Sequence, residues 1–337
     1  MNVLFCREPG IMAYDDVPVP VPGKDQALIK IRRIGICGTD IHAFEGTQPY
    51  FSYPRILGHE LSGELVSEDI PGFSAGEAVT IIPYFNCGHC IACRSSKPNC
   101  CTHIKVFGVH MDGGMCEFIS VPSYALVKSG GLSLDALALA EPLAIGAHGV
   151  RRAAITAGEF VLVTGAGPIG LGTMAFARLS GANVIAMDTN DSRLACCREK
   201  LGIVFTINPR HENVAEKLRA ITSGDMPGVV IDATGNIGAI NSGIDWLAHG
   251  GRYVLIGLQK ASFSFPHPEF HKREATLMSS RNATREDFNR VITAMINNQI
   301  KPETYITHRV PFDKAGEFFN CFSDPAFPVI KAMISMR

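Results

Sequence analysis

The sequence carries almost no surplus of charge: 31 Lys and Arg against 32 Asp and Glu leave a formal net charge of -1. That balance removes the electrostatic case for a nucleic-acid partner or for an anionic membrane surface. No apolar run approaches the roughly 20 residues that span a bilayer. The opening ten residues hold an acidic residue and a proline where a secretory signal has a basic segment and a long apolar one. Internal repeats and low-complexity tracts are missing too. What is left is a chain of 337 residues, 46% hydrophobic and 19% charged, which predicts a well-cored globular protein of two ordinary domains.

Cysteine, by contrast, is plentiful, with eleven in the chain. In a short secreted sequence that number predicts disulfides. In a long, untargeted one with thiols clustered at metal spacing it predicts a reducing cytoplasmic setting. Cys6, Cys116, Cys196, Cys197 and Cys321 read as small buried or half-buried hydrophobes. Cys87, Cys90 and Cys93 are different. Two gaps of two residues let the backbone fold around one ion, and a fourth thiol, from Cys101 or its neighbour Cys100, closes a tetrahedron. An all-sulfur shell suits a structural zinc and has no open position, so any chemistry belongs elsewhere.

Residues 23–150 read as β-rich: 27–32 alternates like a strand, and 77–83 and 116–121 are shorter β-type runs punctuated by Gly and Pro. Near residue 151 the texture changes. Strands are expected at 160–164, 184–187, 203–206, 228–232, 251–256 and 275–279. Helices are expected from the glycine turn to 180 and at 191–201, 212–221 and 237–248. This alternation predicts a doubly wound parallel sheet of the Rossmann type over 151–284. Residues 285–337 are expected to return and complete the first domain, 1–150.

Gly165, Gly167 and Gly170 follow the first of those strands and open a helix, with Pro168 and Ile169 inside the turn. Such a turn brings a pyrophosphate onto backbone N–H groups at the helix N-terminus. Asp188 ends the next strand, 18 residues after Gly170, where its carboxylate meets the adenosine ribose hydroxyls and repels a 2′-phosphate. NAD rather than NADP is therefore expected, with Arg193 close enough to act at the adenosine end as well.

Three separated segments carry the residue types of a catalytic zinc: Cys37 with Thr39 and His42, then His59 with Glu60, then Glu141. A thiolate, an imidazole and a carboxylate leave one position open for substrate. Thr39 and His42 suggest a hydroxyl-to-imidazole path for the departing proton. Spacing alone does not bring these segments together.

The runs at 35–42, 57–60, 112–118, 141–143 and 165–170, together with the thiol lobe at about 86–102, make the chain resemble the zinc-dependent medium-chain alcohol dehydrogenases along nearly its whole length. The resemblance implies a GroES-like β-barrel catalytic domain beside the Rossmann domain, two zinc ions per chain, NAD, and a homodimer or homotetramer. It assigns Cys37 and His59 as catalytic-zinc ligands, with Glu60 as a ligand or a carboxylate that exchanges onto the metal. Glu141 stands where ethanol-active members have a third ligand cysteine, and it reaches zinc directly or through water. Family spacing selects Cys101 over Cys100.

The runs at 48–60, 98–101, 108–114 and 267–288 resemble most closely the sugar-acid branch of L-galactonate 5-dehydrogenase type, which implies oxidation at C5 to D-tagaturonate. In that branch Arg281 falls near the substrate, in reach of a carboxylate, with Lys272, Arg273 and Arg285 as solvated competitors. Tyr50, Phe51, Phe107 and His110 are candidate pocket residues. L-Threonine, L-idonate or a sorbitol-type polyol are the alternative substrates. A protein that keeps the fold and binds NAD without catalysis is the alternative of another class.

Overall fold

The computed structural model describes residues 1–48, 50–323, 327 and 329–336. Pro49, within the 48–60 run, and parts of the return segment lie outside the described residues. The chain forms two compact units, 1–142 with 284–337, and 143–283. The first boundary therefore falls at 142/143, inside the helix Ala140–Ala153, and not at 150/151. The helix precedes the change of texture in the sequence but packs with the residues C-terminal to it. A side chain at Gly146 would collide with the backbone of Thr173, and one at Gly149 with Ile256. Among the described residues, no helix is long and apolar enough to cross a membrane.

The first unit is built on a long strand, Gln26–Gly35, whose alternating burial follows its alternating sequence. It pairs antiparallel with Glu60–Leu65, with Phe118–Pro122 and, at its end, with Lys331–Ser335. A register shift after Ile31 leaves Gly35 opposite Glu60 and also opposite Met333. Three distant parts of the chain thus converge at one strand end, and the candidate metal centre lies there. A three-stranded sheet of Asn2–Glu8, Ile11–Asp16 and Arg55–Ile56 adds to the same unit, so β-structure begins well before residue 23.

The second unit holds six parallel strands: Phe160–Thr164, Asn183–Met187, Phe205–Ile207, Val229–Asp232, Arg252–Leu255 and Thr276–Ser279. In chain order their arrangement across the sheet is 3-2-1-4-5-6, the doubly wound order with a switch point between strands 1 and 4. Leu162, Ile185, Val230 and Tyr253 are fully or almost fully buried in its core.

Two expected helices are shorter than the sequence suggests. One is Ile237–Ser242, not 237–248, and in its last turn the Ile240 carbonyl accepts from both the Gly243 amide at 3.2 Å and the Tyr253 hydroxyl at 3.0 Å. The other begins at Val214 because the Asn213 side chain caps it, accepting from the Glu216 amide.

Candidate functional site

Cys37 immediately precedes the short helix Gly38–Phe44, and its N–H donates to Asp40 Oδ2 at 2.9 Å. Asp40 is fully buried, and its other oxygen accepts from the Gly58 amide at 3.1 Å. One carboxylate therefore ties the Cys37 turn to the loop that presents His59. Metal-ligating atoms of Cys37, His59 and Glu60 all lie within 4.8 Å of one another. His59 Nδ1 is buried with no hydrogen-bond partner and sits 3.9 Å from Asp40 Oδ1.

A sulfur, a nitrogen and an oxygen donor gathered within 4.8 Å fit a zinc ion with an open position, with His59 Nδ1 turned to Asp40 and the other ring nitrogen left for the metal. The carboxylate behind the histidine is the usual means of orienting such a ligand. Glu60 is fully buried and paired with Lys331, whose Nζ lies 2.6 Å from both carboxylate oxygens and also donates to the Ile36 carbonyl.

Glu141 does not join the ligand set. It lies in the first turn of Ala140–Ala153, buried, with the Tyr84 hydroxyl donating to its Oε1. Burial is the largest of the influences that push its pKa up to about 7. Burial likewise raises Asp40. For His59 burial pulls the pKa down, but Cys37, Asp40 and Glu141 outweigh it and hold the imidazole well above its ordinary value. The pocket thus prefers a cation, either a proton or a metal.

All three shifts have one sign. The metal-free fold binds protons more tightly than the unfolded chain, so its stability is greatest below the ordinary pKa of each group and is lost as pH rises through the folded value. A bound zinc would take the place of the His59 proton and, by its charge, favour the ionised forms of the two carboxylates beside it. We expect zinc affinity to rise from pH 5 to pH 8 and the melting temperature of chelated protein to fall over the same interval. Calorimetric melts of loaded and chelated protein check both trends, and pH-independent melts of chelated protein contradict them.

Thr39 and His42 both lie on the Gly38–Phe44 helix. His42 is exposed, and its Nδ1 contacts Glu45 Oε2 at 3.3 Å and Thr47 Oγ1 at 3.2 Å. No direct hydrogen bond between Thr39 and His42 occurs among the described residues, so a relay through them needs an intervening hydroxyl.

In the lobe, the sulfurs of Cys87, Cys90, Cys93 and Cys101 lie within 4.8 Å of one another. Cys90 and Cys93 are 3.5 Å apart, as are Cys87 and Cys101. Four sulfurs about 2.3 Å from a central zinc are about 3.8 Å apart, so the cluster is close to ligand geometry and far too open for disulfides. Cys100 is exposed and outside the set. The His89 amide is the main influence lowering Cys87 to about 7, and the Cys93 amide the main one lowering Cys90 to about 5. Burial drives Cys101 to about 11, so this thiol is the one that most needs a metal to ionise.

The second unit has a cavity of about 500 Å³ at its switch point, lined by Gly165, Gly167, Asp188, Arg193 and Thr234 among others. Gly165 has φ +92°, and a Cβ at Gly170 would overlap the Gly165 carbonyl oxygen. A Cβ at Gly167 would meet nothing, so the glycine leaves open space in front of the helix Pro168–Leu179, with Ile169 in its first turn. That space and the free N–H groups behind it suit a pyrophosphate. Asp188 accepts from the Ala166 amide at 2.7 Å and the Asn190 amide at 2.8 Å, with Arg193 Nη1 3.9 Å away. Each oxygen keeps a lone pair for a ribose hydroxyl.

Several expected pocket residues have other roles. Phe107 is buried in the core of the first unit, packed 6.0 Å from Phe85. Arg285 is exposed but donates to the carbonyls of Leu126 and Tyr124. Arg273 bonds the Leu247 carbonyl and Glu269, so neither arginine is simply solvated. Lys272 pairs with Glu269. Phe51 packs on Tyr53 at 4.9 Å. Tyr50 stacks on His110, whose Nδ1 accepts from the Val106 amide. Arg281 is exposed just past the strand Thr276–Ser279.

Asp40, Tyr84, Lys331 and Gly35 are the site residues that sequence reasoning missed. A Cβ at Gly35 would overlap the Glu60 carboxylate. Lys331 had a signal, since a lone cation in the apolar strand Lys331–Ser335 must find an anion.

Known proteins place this fold and this centre in one class. Residues 23–131 match the alcohol dehydrogenase GroES-like domain, and residues 168–297 match the zinc-binding dehydrogenase family. The chain belongs to the zinc-binding alcohol dehydrogenase family and is an oxidoreductase. It is 47% identical to the L-galactonate-5-dehydrogenase of Escherichia coli K12, over 95% of this chain and 94% of that one. It is 32% identical to the L-threonine 3-dehydrogenase of Pyrococcus horikoshii, over 95% and 94% respectively. Among solved structures, an alcohol dehydrogenase of Escherichia coli CFT073 complexed with NADH superimposes with a TM-score of 0.92, at 29% identity and 99% coverage of both chains.

Proposed function

We propose that the chain is a zinc-dependent, NAD-dependent dehydrogenase that oxidises a secondary hydroxyl of a sugar acid, L-galactonate, at C5 to give D-tagaturonate. The observation that carries this reading is the 47% identity, over 95% of the chain, to a relative named for that reaction. Relatives named for sorbitol and L-threonine are 32% identical. Asp188 at the ribose position and the NADH-complexed neighbour support NAD. A homodimer or homotetramer in a reducing cytoplasm accompanies the reading, and all eleven cysteines are free thiols in the structure.

Cys37, His59 and Glu60 hold the catalytic zinc, and Cys87, Cys90, Cys93 and Cys101 hold the lobe zinc. When bound, the catalytic zinc polarises the substrate oxygen and lowers its pKa, and NAD accepts the hydride. Asp40 orients His59. Lys331 holds Glu60 through both carboxylate oxygens, and Glu141 keeps a proton in play with Tyr84 beside them. Thr39 would accept the substrate hydroxyl proton as it passes its own to an intervening hydroxyl, and His42, exposed, would receive that proton and release it to solvent. Gly165, Gly167 and Gly170 leave room for the pyrophosphate, with Arg193 at the adenosine end.

Arg281 binds the substrate carboxylate. Replacing it with alanine is expected to raise KM for L-galactonate by about 10- to 100-fold, the worth of a charge-assisted pair, and to change KM for sorbitol less than about twofold. Equal losses on both substrates rule out a carboxylate role. NMR identification of the product formed from L-galactonate and NAD tests the reaction itself: a 5-keto hexonate supports it, and a different carbonyl position overturns it.

A further inference from the structure

The four-thiol shell does not account for every metal-binding group on the lobe. Cys87, His89 and His103 also place one ligand atom each within 4.8 Å of one another, and both histidines are exposed. We propose that Cys87, His89 and His103 form a third, weaker site for a borderline divalent cation such as zinc, on the solvent side of the lobe, with the Cys87 thiolate bridging it to the lobe ion. The bridging part rests on the reading in which the lobe holds zinc.

The geometry prepares the ligands. His89 Nδ1 lies 2.9 Å from the Cys87 carbonyl oxygen, an acceptor, so that nitrogen carries the hydrogen and Nε2 is left with its lone pair. His103 Nδ1 lies 3.0 Å from the Thr102 hydroxyl, which can accept from it in the tautomer that frees Nε2 for a metal. Such outer bonds fix the tautomer and ring orientation of metal-binding histidines. The two rings lie 6.0 Å apart between centroids, tilted by 31°.

Zinc bonds of about 2.0 Å to nitrogen and about 2.3 Å to sulfur put tetrahedral ligands roughly 3.4–3.6 Å apart. Two exposed side chains close to that spacing by small rotations. Two imidazoles and a thiolate suit zinc and neighbouring divalent ions and are poor ligands for magnesium or calcium. With three protein ligands, one of them shared, and water in the remaining position, the ion is exchangeable where the lobe ion is held fast.

The test uses the dialysed holoenzyme, titrated with Zn²⁺ against a chromophoric chelator. It should take up one further ion per chain beyond its tightly held complement, and Co²⁺ in that position should add a thiolate-to-metal charge-transfer band. His89→Ala and His103→Ala should each weaken the uptake by about tenfold or more. Both side chains are exposed, and their backbone N–H bonds to the lobe sulfurs survive the change. The tight complement and the melting temperature should therefore stay at wild-type values. An unchanged extra ion in the double variant, or cobalt bound without the thiolate band, overturns the proposal. The tight complement, counted in the same samples, reports separately on the lobe zinc.

Discussion

Cys37→Ala is expected to lower the zinc content from two ions per chain to one and to reduce kcat/KM by about three orders of magnitude, roughly 4 kcal/mol of transition-state stabilisation. The thiolate is the only charged ligand of the set that no protein cation already neutralises, because Lys331 claims both oxygens of Glu60. Removing it leaves a neutral imidazole and a carboxylate held by an ammonium, too little to retain a divalent ion. Cys37 is half-buried, and its backbone N–H donates to the Asp40 carboxylate whatever side chain it carries. The turn should therefore survive, with a melting temperature close to wild type in the presence of zinc. Metal analysis and steady-state kinetics on one preparation check the prediction. A variant with two zinc ions and activity within about tenfold of wild type removes Cys37 from the centre.

The second large effect concerns stability. Lys331→Met should destabilise the first unit by about 3–5 kcal/mol, because it strands the Glu60 carboxylate in a fully buried position. It also leaves the Ile36 carbonyl without its donor. Burial pulls the Lys331 pKa down, but Glu60, with Cys37 and Glu141 behind it, overcomes that and raises it above the ordinary lysine value. A raised lysine contributes stability that is fully present below the unfolded pKa of about 10.4 and is lost only as pH rises through the folded value. The deficit of the variant should therefore be constant from pH 6 to pH 9. Combining it with Glu60→Gln should recover part of the loss, since the double variant no longer buries an unpaired charge. Denaturant unfolding of the proteins freed of the catalytic zinc, so that no metal neutralises Glu60, measures each term. A loss below about 1 kcal/mol for Lys331→Met shows that Glu60 is neutralised by something else.

How much of this protein is legible in its sequence depends on the range of the interactions involved. The lobe thiols and the glycine turn are local, each within about fifteen residues, so spacing specifies the turn and three of the four thiols, and the family resemblance the choice of Cys101 over Cys100. The doubly wound order was legible because strands and helices alternate along the chain in the order in which they pack. Element ends were less so. In the last turn of the Ile237–Ser242 helix the Ile240 carbonyl accepts from Tyr253, eleven residues beyond its end, and no local pattern records that.

The catalytic centre lies at the far end of the scale. Cys37, His59 and Glu60 meet because a register shift sets Gly35 opposite Glu60 and because the returning strand Lys331–Ser335 pairs beside them. Family resemblance supplied the convergence for Cys37, His59 and Glu60, but not for Lys331, Asp40 or Tyr84. Glu141 was expected to reach zinc directly or through water; its carboxylate accepts from Tyr84 and lies outside the group of three. Phe107 was drawn to function by residue type and lies in the core, while Arg285, expected to be solvated, is tied to two backbone carbonyls.

The sugar-acid assignment stands or falls on the ratio of kcat/KM values for L-galactonate, L-threonine and sorbitol, measured with NAD on the two-zinc enzyme. A site that hydrogen-bonds and charge-pairs its substrate rejects analogues lacking those groups by large factors. L-Galactonate should therefore lead both others by about a hundredfold or more. L-Threonine oxidised much faster than L-galactonate would contradict the assignment.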